Sequence, residues 1–135
     1  MIRVTTSRLD VAEHEAAVAS PKAGAVVSFA GVVRDHDHGR SVVSLTYEAH
    51  PSAEDVLREV VEEISTDPDV YAIAVSHRHG PLEIGDIALA AAVSTAHRAA
   101  AFAACARLVD TVKQRLPIWK HQVFTDGTDE WVNCP

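Results

Sequence analysis

The chain has only two cysteines in 135 residues. Cys105 sits within an apolar helical stripe and Cys134 is penultimate, so a disulfide scaffold is excluded. Cys105 reads as core, and Cys134 as an exposed thiol whose terminal position, without fixed neighbours, suits nucleophilic catalysis poorly. No apolar run approaches the roughly 20 residues that cross a bilayer, and Met1-Ile2-Arg3-Val4-Thr5-Thr6 lacks the apolar core of a secretory signal. A cytoplasmic location is the expectation. Basic charge is short: 12 Lys and Arg face 19 Asp and Glu, for a net −7. That balance excludes a general nucleic-acid or acidic-membrane binder, which needs a broad basic surface, and leaves room for a local basic cleft. Repeats, linkers and low-complexity tracts are missing. So are a Walker loop, a Gly-x-Ser-x-Gly elbow, a Gly-x-Gly-x-x-Gly fingerprint, paired-cysteine spacing and a helical His-Glu-x-x-His motif. Phosphate recognition would therefore rest on side chains.

What is present is a chain 47% hydrophobic, enough to build one domain over residues 1–135 around a real core. Ile2 to Thr6 reads as a short strand and Asp10 to Ala19 as a modest helix before the Ser20-Pro21-Lys22-Ala23-Gly24 break. Ala25 to Val33 is a β-branched core strand. Val42 to Ala49 alternates, with Val43, Leu45 and Tyr47 on one face, and the polar Asp35-His36-Asp37-His38-Gly39-Arg40 between the two strands reads as a long, mobile, ligand-facing hairpin connection. Ser52 caps a helix, with Asp55 three residues on and an apolar stripe of Val56, Leu57, Val60, Val61 and Ile64. Val70 to His79 and Ile87 to Ser94 read as antiparallel neighbours, the latter placing Ile87, Leu89, Ala91 and Val93 on one face. From Arg98 to Leu116, Phe102, Cys105, Val109, Val112 and Leu116 recur at helical spacing. A terminal hairpin follows, from Trp119 to Phe124, through Asp126-Gly127, to Trp131-Val132. Hairpins combined with two principal helices predict an α+β fold.

The most distinctive cations are Lys113 and Lys120, on either side of Leu116-Pro117-Ile118-Trp119. Pro117 lacks an N–H and disfavours helix at Leu116, so a helix carrying Lys113 ends there and Lys120 enters an extended, half-buried segment. Lys113 fits a helix-dipole partner as well as a site residue. Lys120, beside Ile118, Val123 and Phe124, needs a partner, a ligand or a route to water for its ammonium. Arg34 ends the Phe29-Ala30-Gly31-Val32-Val33-Arg34 strand, either facing water or turning its fork into a cleft to meet phosphate or carboxylate. His97-Arg98 opens the long helix, where a cation is disfavoured by the dipole: either a bound anion or an acidic partner accounts for it, or the pair is a surface accident. His36-x-His38 and His77-x-His79 invite a metal reading, which ranks last without supporting ligand spacing. Glu54, Glu59, Glu62 and Glu63 form a solvated face.

Five segments occur in order: Phe29-Ala30-Gly31-Val32-Val33-Arg34, Tyr47-Glu48-Ala49, His77-Arg78-His79-Gly80, Ala96-His97-Arg98-Ala99-Ala100-Ala101-Phe102, and Lys113 to Lys120. Together they span nearly the whole chain, which resembles the large, catalytic subunit of molybdopterin synthase, the MoaE family. The resemblance implies an α+β fold with an α/β-hammerhead part, and a homodimer binding one small ubiquitin-like sulfur-carrier subunit per protomer, a heterotetramer in all. It implies transfer of sulfur, twice, from the carrier's C-terminal thiocarboxylate to cyclic pyranopterin monophosphate, giving the dithiolene of molybdopterin, with no metal or cofactor of the subunit's own. Position by position, it places anion binding on Val32, Val33 and Arg34, a dimer-partner contribution on His97 and Arg98, and the catalytic lysines at Lys113 and Lys120, with His121 and Gln122 beside the latter. Lys113 would lie near the carrier's terminal carbonyl, and Lys120 would move protons or stabilise developing charge.

Two departures stand out. The family commonly has glutamate where this chain has Gln122, which removes an ion pair expected to orient Lys120. Relatives also often continue into a basic tail beyond the position of Pro135. A reading of a different class is a noncatalytic module that binds a ubiquitin-like tail or a phosphorylated small molecule, its cations serving affinity alone.

Overall fold

A computed structural model describes residues 1–133; Cys134, read above as an exposed thiol, lies outside them. In chain order the elements are β1 (Ile2–Thr5), α1 (Val11–Val18), β2 (Ala25–Val32), β3 (His36–Asp37), β4 (Arg40–Ala49), α2 (Ala53–Ser65), β5 (Val70–Arg78), β6 (Gly80–Leu82), β7 (Ile87–Thr95), α3 (Arg98–Arg115), β8 (Ile118–Phe124) and β9 (Asp129–Asn133). They build two sheets, one ordered β1-β5-β7-β2 and the other β3-β4-β8-β9 with β6 also on β4. The architecture is α+β. Every pairing is antiparallel except β1 with β5.

The two central strands of the first sheet, β5 and β7, are buried on both faces over most of their length. Leu89, Ala91 and Val93 of β7 join the main core with α2 and α3, while Ala92 packs with Ala74 and Val18 of α1 on the other side. This is why β7 shows no half-exposed alternation: the small Ala90 and Ala92 let α1 close over the second face. Leu57, Val60, Val61 and Ile64 of α2 are buried, each contributing roughly 1.5–3 kcal/mol of apolar burial.

Several local expectations are revised. The segment after β2 is not a hairpin connection between β2 and β4, since β2 pairs with β7 and β4 with β8. The chain crosses from one sheet to the other there, and a tight β3–β4 hairpin forms inside the segment instead. In β4 an irregularity between Val42 and Ser44 switches parity, so Leu45 and Tyr47 remain inside while Val43 is 57% exposed. Ser52 does not close a capping box, because its hydroxyl bonds His50 Nδ1 (2.7 Å). Phe102 is 62% exposed: Ala101, Ala104, Cys105 and Leu108 carry the buried stripe of α3. α3 ends at Arg115, with Leu116 extended (φ −69°, ψ 124°) before Pro117.

Candidate active site at the junction of the two sheets

Between the sheets lies a cleft of about 270 Å³ lined by Gly31, Val32, Arg34, Tyr47, His77, Ala88, Leu89, Lys113 and Lys120. Each cation arrives by a different route. Arg34 follows the end of β2, where a register shift at Gly31/Val32 turns the strand away from β7. Lys113 stands in the last turn of α3, and Pro117 redirects the chain so that β8 brings Lys120 back opposite Tyr47 of β4. A negatively charged protein thus gathers three cations around one concavity.

Lys120 is half-buried on the face of β8 that also carries Ile118, Gln122 and Phe124. Burial pushes its ammonium below the usual lysine range and the Arg34 and Lys113 charges push the same way, while Asp37 and Glu130 oppose them. Arg34 is 63% exposed on the rim, its guanidinium 3.3 Å from Asp37. It therefore faces both water and the cleft.

His77 lines the wall and is only 2% exposed. Its Nδ1 donates to the Arg78 carbonyl (2.8 Å), so Nε2 keeps its lone pair, and its ring lies edge-on to Tyr47 at 5.1 Å. Burial above all, then the Lys113 and His79 charges, holds the imidazole down at about 4, neutral near pH 7. Together these groups can bind a polyanion, stabilise developing negative charge and relay protons.

Not every expected residue reaches this cleft. Val33 is 5% exposed and lines a smaller recess beside it, with Asp37 and Gln122. His121 is on the opposite face of β8 from Lys120, bonded to Asp129 (2.8 Å) and stacked on Trp131 at 4.5 Å. His97 caps α3 without a side-chain bond, and Arg98 opens the helix about 22 Å from Lys113 at roughly 1.5 Å per residue. Within one chain these two do not meet the lysines. Among the described residues no three His, Cys, Asp or Glu side chains group as metal ligands: His77 is committed to a backbone carbonyl, and His36 to Asp35 (2.8 Å).

Three residues of the region were not placed in this cleft from sequence, His77 having been read only as half of a metal pair. A histidine within the apolar Ala74-Val75-Ser76-His77 run and a tyrosine on the inward parity of β4 are signals available locally. Asp37, inside a polar segment, has none.

A family model described as MoaE protein matches residues 4–115. The molybdopterin synthase catalytic subunit 1 of Mycobacterium tuberculosis is 41% identical over 133 residues, covering 96% of this chain and 88% of its own length. The rat molybdopterin synthase catalytic subunit is 38% identical over 132 residues, covering 97% of this chain. The chain spans 66% of the length of that rat relative and 61% of the Arabidopsis thaliana one. A crystal structure of molybdopterin synthase from Staphylococcus aureus superposes with a TM-score of 0.89 at 32% identity, covering 98% of this chain and 96% of its own. A chain from the complex of subunits 1 and 2 of the Helicobacter pylori molybdopterin-converting factor, 20% identical, shares the fold with a TM-score of 0.73. Sequence and architecture agree across most of both chains, and the protein belongs to the MoaE family.

Proposed function

We propose that this chain is the catalytic subunit of a molybdopterin synthase. It transfers sulfur from the thiocarboxylated C-terminus of a small ubiquitin-like carrier to cyclic pyranopterin monophosphate, forming the molybdopterin dithiolene in molybdenum cofactor biosynthesis. The observation that carries the reading is the convergence of Arg34, Lys113 and Lys120, from three separate elements, on one cleft. The thiocarboxylate brings its own nucleophile, so the subunit need supply only position, charge and proton management. Arg34, at the end of the Val32-Val33-Arg34 segment, holds the substrate's anionic end. Lys113 lies toward the carrier's terminal carbonyl, and Lys120 stabilises developing negative charge or passes a proton. No metal or cofactor enters this scheme.

The working assembly is a homodimer carrying two carriers, with His97 and Arg98 of one protomer completing the cleft of the other. Their distance from Lys113 along α3 and the exposure of both residues support this arrangement. No helix among the described residues is long and apolar enough to cross a membrane, and the proposed setting is the cytoplasm. Reconstitution with thiocarboxylated carrier and cyclic pyranopterin monophosphate should yield dithiolene product. Tight binding of both without product would reject catalysis in favour of a binding module.

A further inference from the structure

Gln122 is 2% exposed, and its amide nitrogen donates to two carboxylates, Asp37 Oδ2 at 2.7 Å and Glu130 Oε1 at 3.0 Å. Both of its N–H groups are thereby used. A glutamate here, as the resemblance leads one to expect, would offer only acceptor oxygens to two existing carboxylates, and like charges so close resist joint ionisation. The amide at 122 and the acid at 37 form a matched pair.

Asp37 reaches this position through backbone geometry. The β3–β4 hairpin turns on His38 and Gly39, both with positive φ (50° and 77°), in the two-residue form whose twist suits paired strands. Strand alternation then sends His36 outward and Asp37 inward, where it is 8% exposed. Inside, it lines a recess of about 50 Å³ shared with Lys120, Arg34 and Gln122. Its oxygens are taken by Gln122 and Arg34 rather than by Lys120, so it acts on the lysine across the recess and through space.

We propose that Asp37 is the counter-ion of Lys120 in this chain, and that Gln122 is the amide bridge that holds it there. The proposal rests on Lys120 being a working residue of the cleft, which makes Asp37 a positioning residue. The charges around Lys120 are Asp37 from β3, Glu130 from β9, Arg34 after β2, Lys113 from α3 and, on the hairpin turn, His38 when protonated; neutral His77 and Tyr47 complete the wall. Burial and two cations disfavour the Lys120 ammonium, whereas two carboxylates favour it. Asp37 is itself held below the usual carboxylate range, first by the Gln122 hydrogen bond and then by the Lys120, His38 and Arg34 charges. It is ionised near neutral pH.

The test compares Asp37→Asn with the reciprocal swap Asp37→Asn/Gln122→Glu, following the Lys120 side chain by NMR of labelled lysine and turnover against pH. Asparagine keeps an acceptor oxygen for the Gln122 amide, and Asp37→Ser gives the same comparison with a smaller side chain. In the single variants the Lys120 midpoint should fall by about one pH unit, and the matching limb of the turnover profile should follow it. The swap returns a carboxylate beside Lys120 but sets it against Glu130 with no amide between them, so it should bring both only part of the way back. An unmoved Lys120 midpoint in the single variants overturns the proposal. The functional reading fails separately: wild-type turnover by Lys120→Ala would remove Lys120 from the reaction, while the NMR midpoint would still decide whether Asp37 is its counter-ion.

Discussion

The two ends of α3 are both cationic, yet they sit in different surroundings. At the C-terminal end Lys113 faces a walled cleft with Lys120, Arg34, Tyr47 and His77. At the N-terminal end His97 and Arg98 are exposed, with no acidic residue in the first turn and no ion pair to a described residue. A cation at a helix C-terminus is favoured by the dipole wherever it points, whereas one at the N-terminus is disfavoured. The better-tolerated lysine is nevertheless the one with the built cleft. Charge alone does not make a site; walls, burial and opposing charge do.

Removing Lys113 or Lys120 probes the enclosed end and should have the largest effect. Alanine at either position is expected to lower turnover about 10²–10³-fold, the scale for losing one preorganised electrostatic group. Thermal melting should change little for Lys113→Ala, since Lys113 is exposed, and fall modestly for Lys120→Ala, which leaves the carboxylates of Asp37 and Glu130 without its charge. Wild-type rates in either variant would clear that lysine of a role.

The exposed end is tested by complementation. Arg98→Ala should depress turnover about 10²-fold, and mixing it with Lys120→Ala should restore roughly a quarter of wild-type activity. Half of the randomly mixed dimers are hybrid, and each hybrid holds one intact site. If mixing restores nothing, the two ends of α3 do not serve a common site.

His77 ties the cleft to stability. Its imidazole titrates near 4 in the fold against 6.5 unfolded, so between these values the unfolded chain binds the extra proton. Stability from this group is complete above pH 6.5 and is lost as pH falls through about 4, by about 3 kcal/mol. Denaturant midpoints measured across that range should show the slope, and His77→Gln should flatten it. His14 offers a contrast. It is fully buried, yet Nδ1 donates to the Asp10 carbonyl and Nε2 accepts from Ser76, both at 2.7 Å, so neither nitrogen is left for chemistry. Burial alone, then, does not distinguish a working histidine from a structural one.

The smallest effect belongs to Arg115, in the same last turn as Lys113 but paired with Glu59 and Glu63 of α2. Arg115→Ala should cost less than about 1 kcal/mol, as exposed pairs do, and leave turnover unchanged. A large loss of activity would mean that a cation outside the cleft matters as much as one inside it, which would erase the distinction between Lys113 and its neighbour.

The α+β class, the long strands, helices α2 and α3 and the break at Pro117 were legible in the residues. Each depends on a local signal: apolar periodicity, alanine-rich propensity or a missing N–H. Lys120 as an awkwardly placed cation was legible for the same reason, and the family resemblance named its companions. Pairing was not. Whether β2 meets β4 or β7, whether Val43 or Val42 points inward, and whether Phe102 or Ala101 faces the core are settled by which surfaces compete for the same burial. The role of Gln122 was hidden most completely, because its two carboxylate partners arrive from β3 and β9. By itself the sequence determined the long elements and the stock of cations, but not the short β3 and β6. Only the tertiary structure decided which cations share a cleft and which acids balance them, because electrostatic coupling depends on distance and burial, and neither is a property of neighbours in the chain.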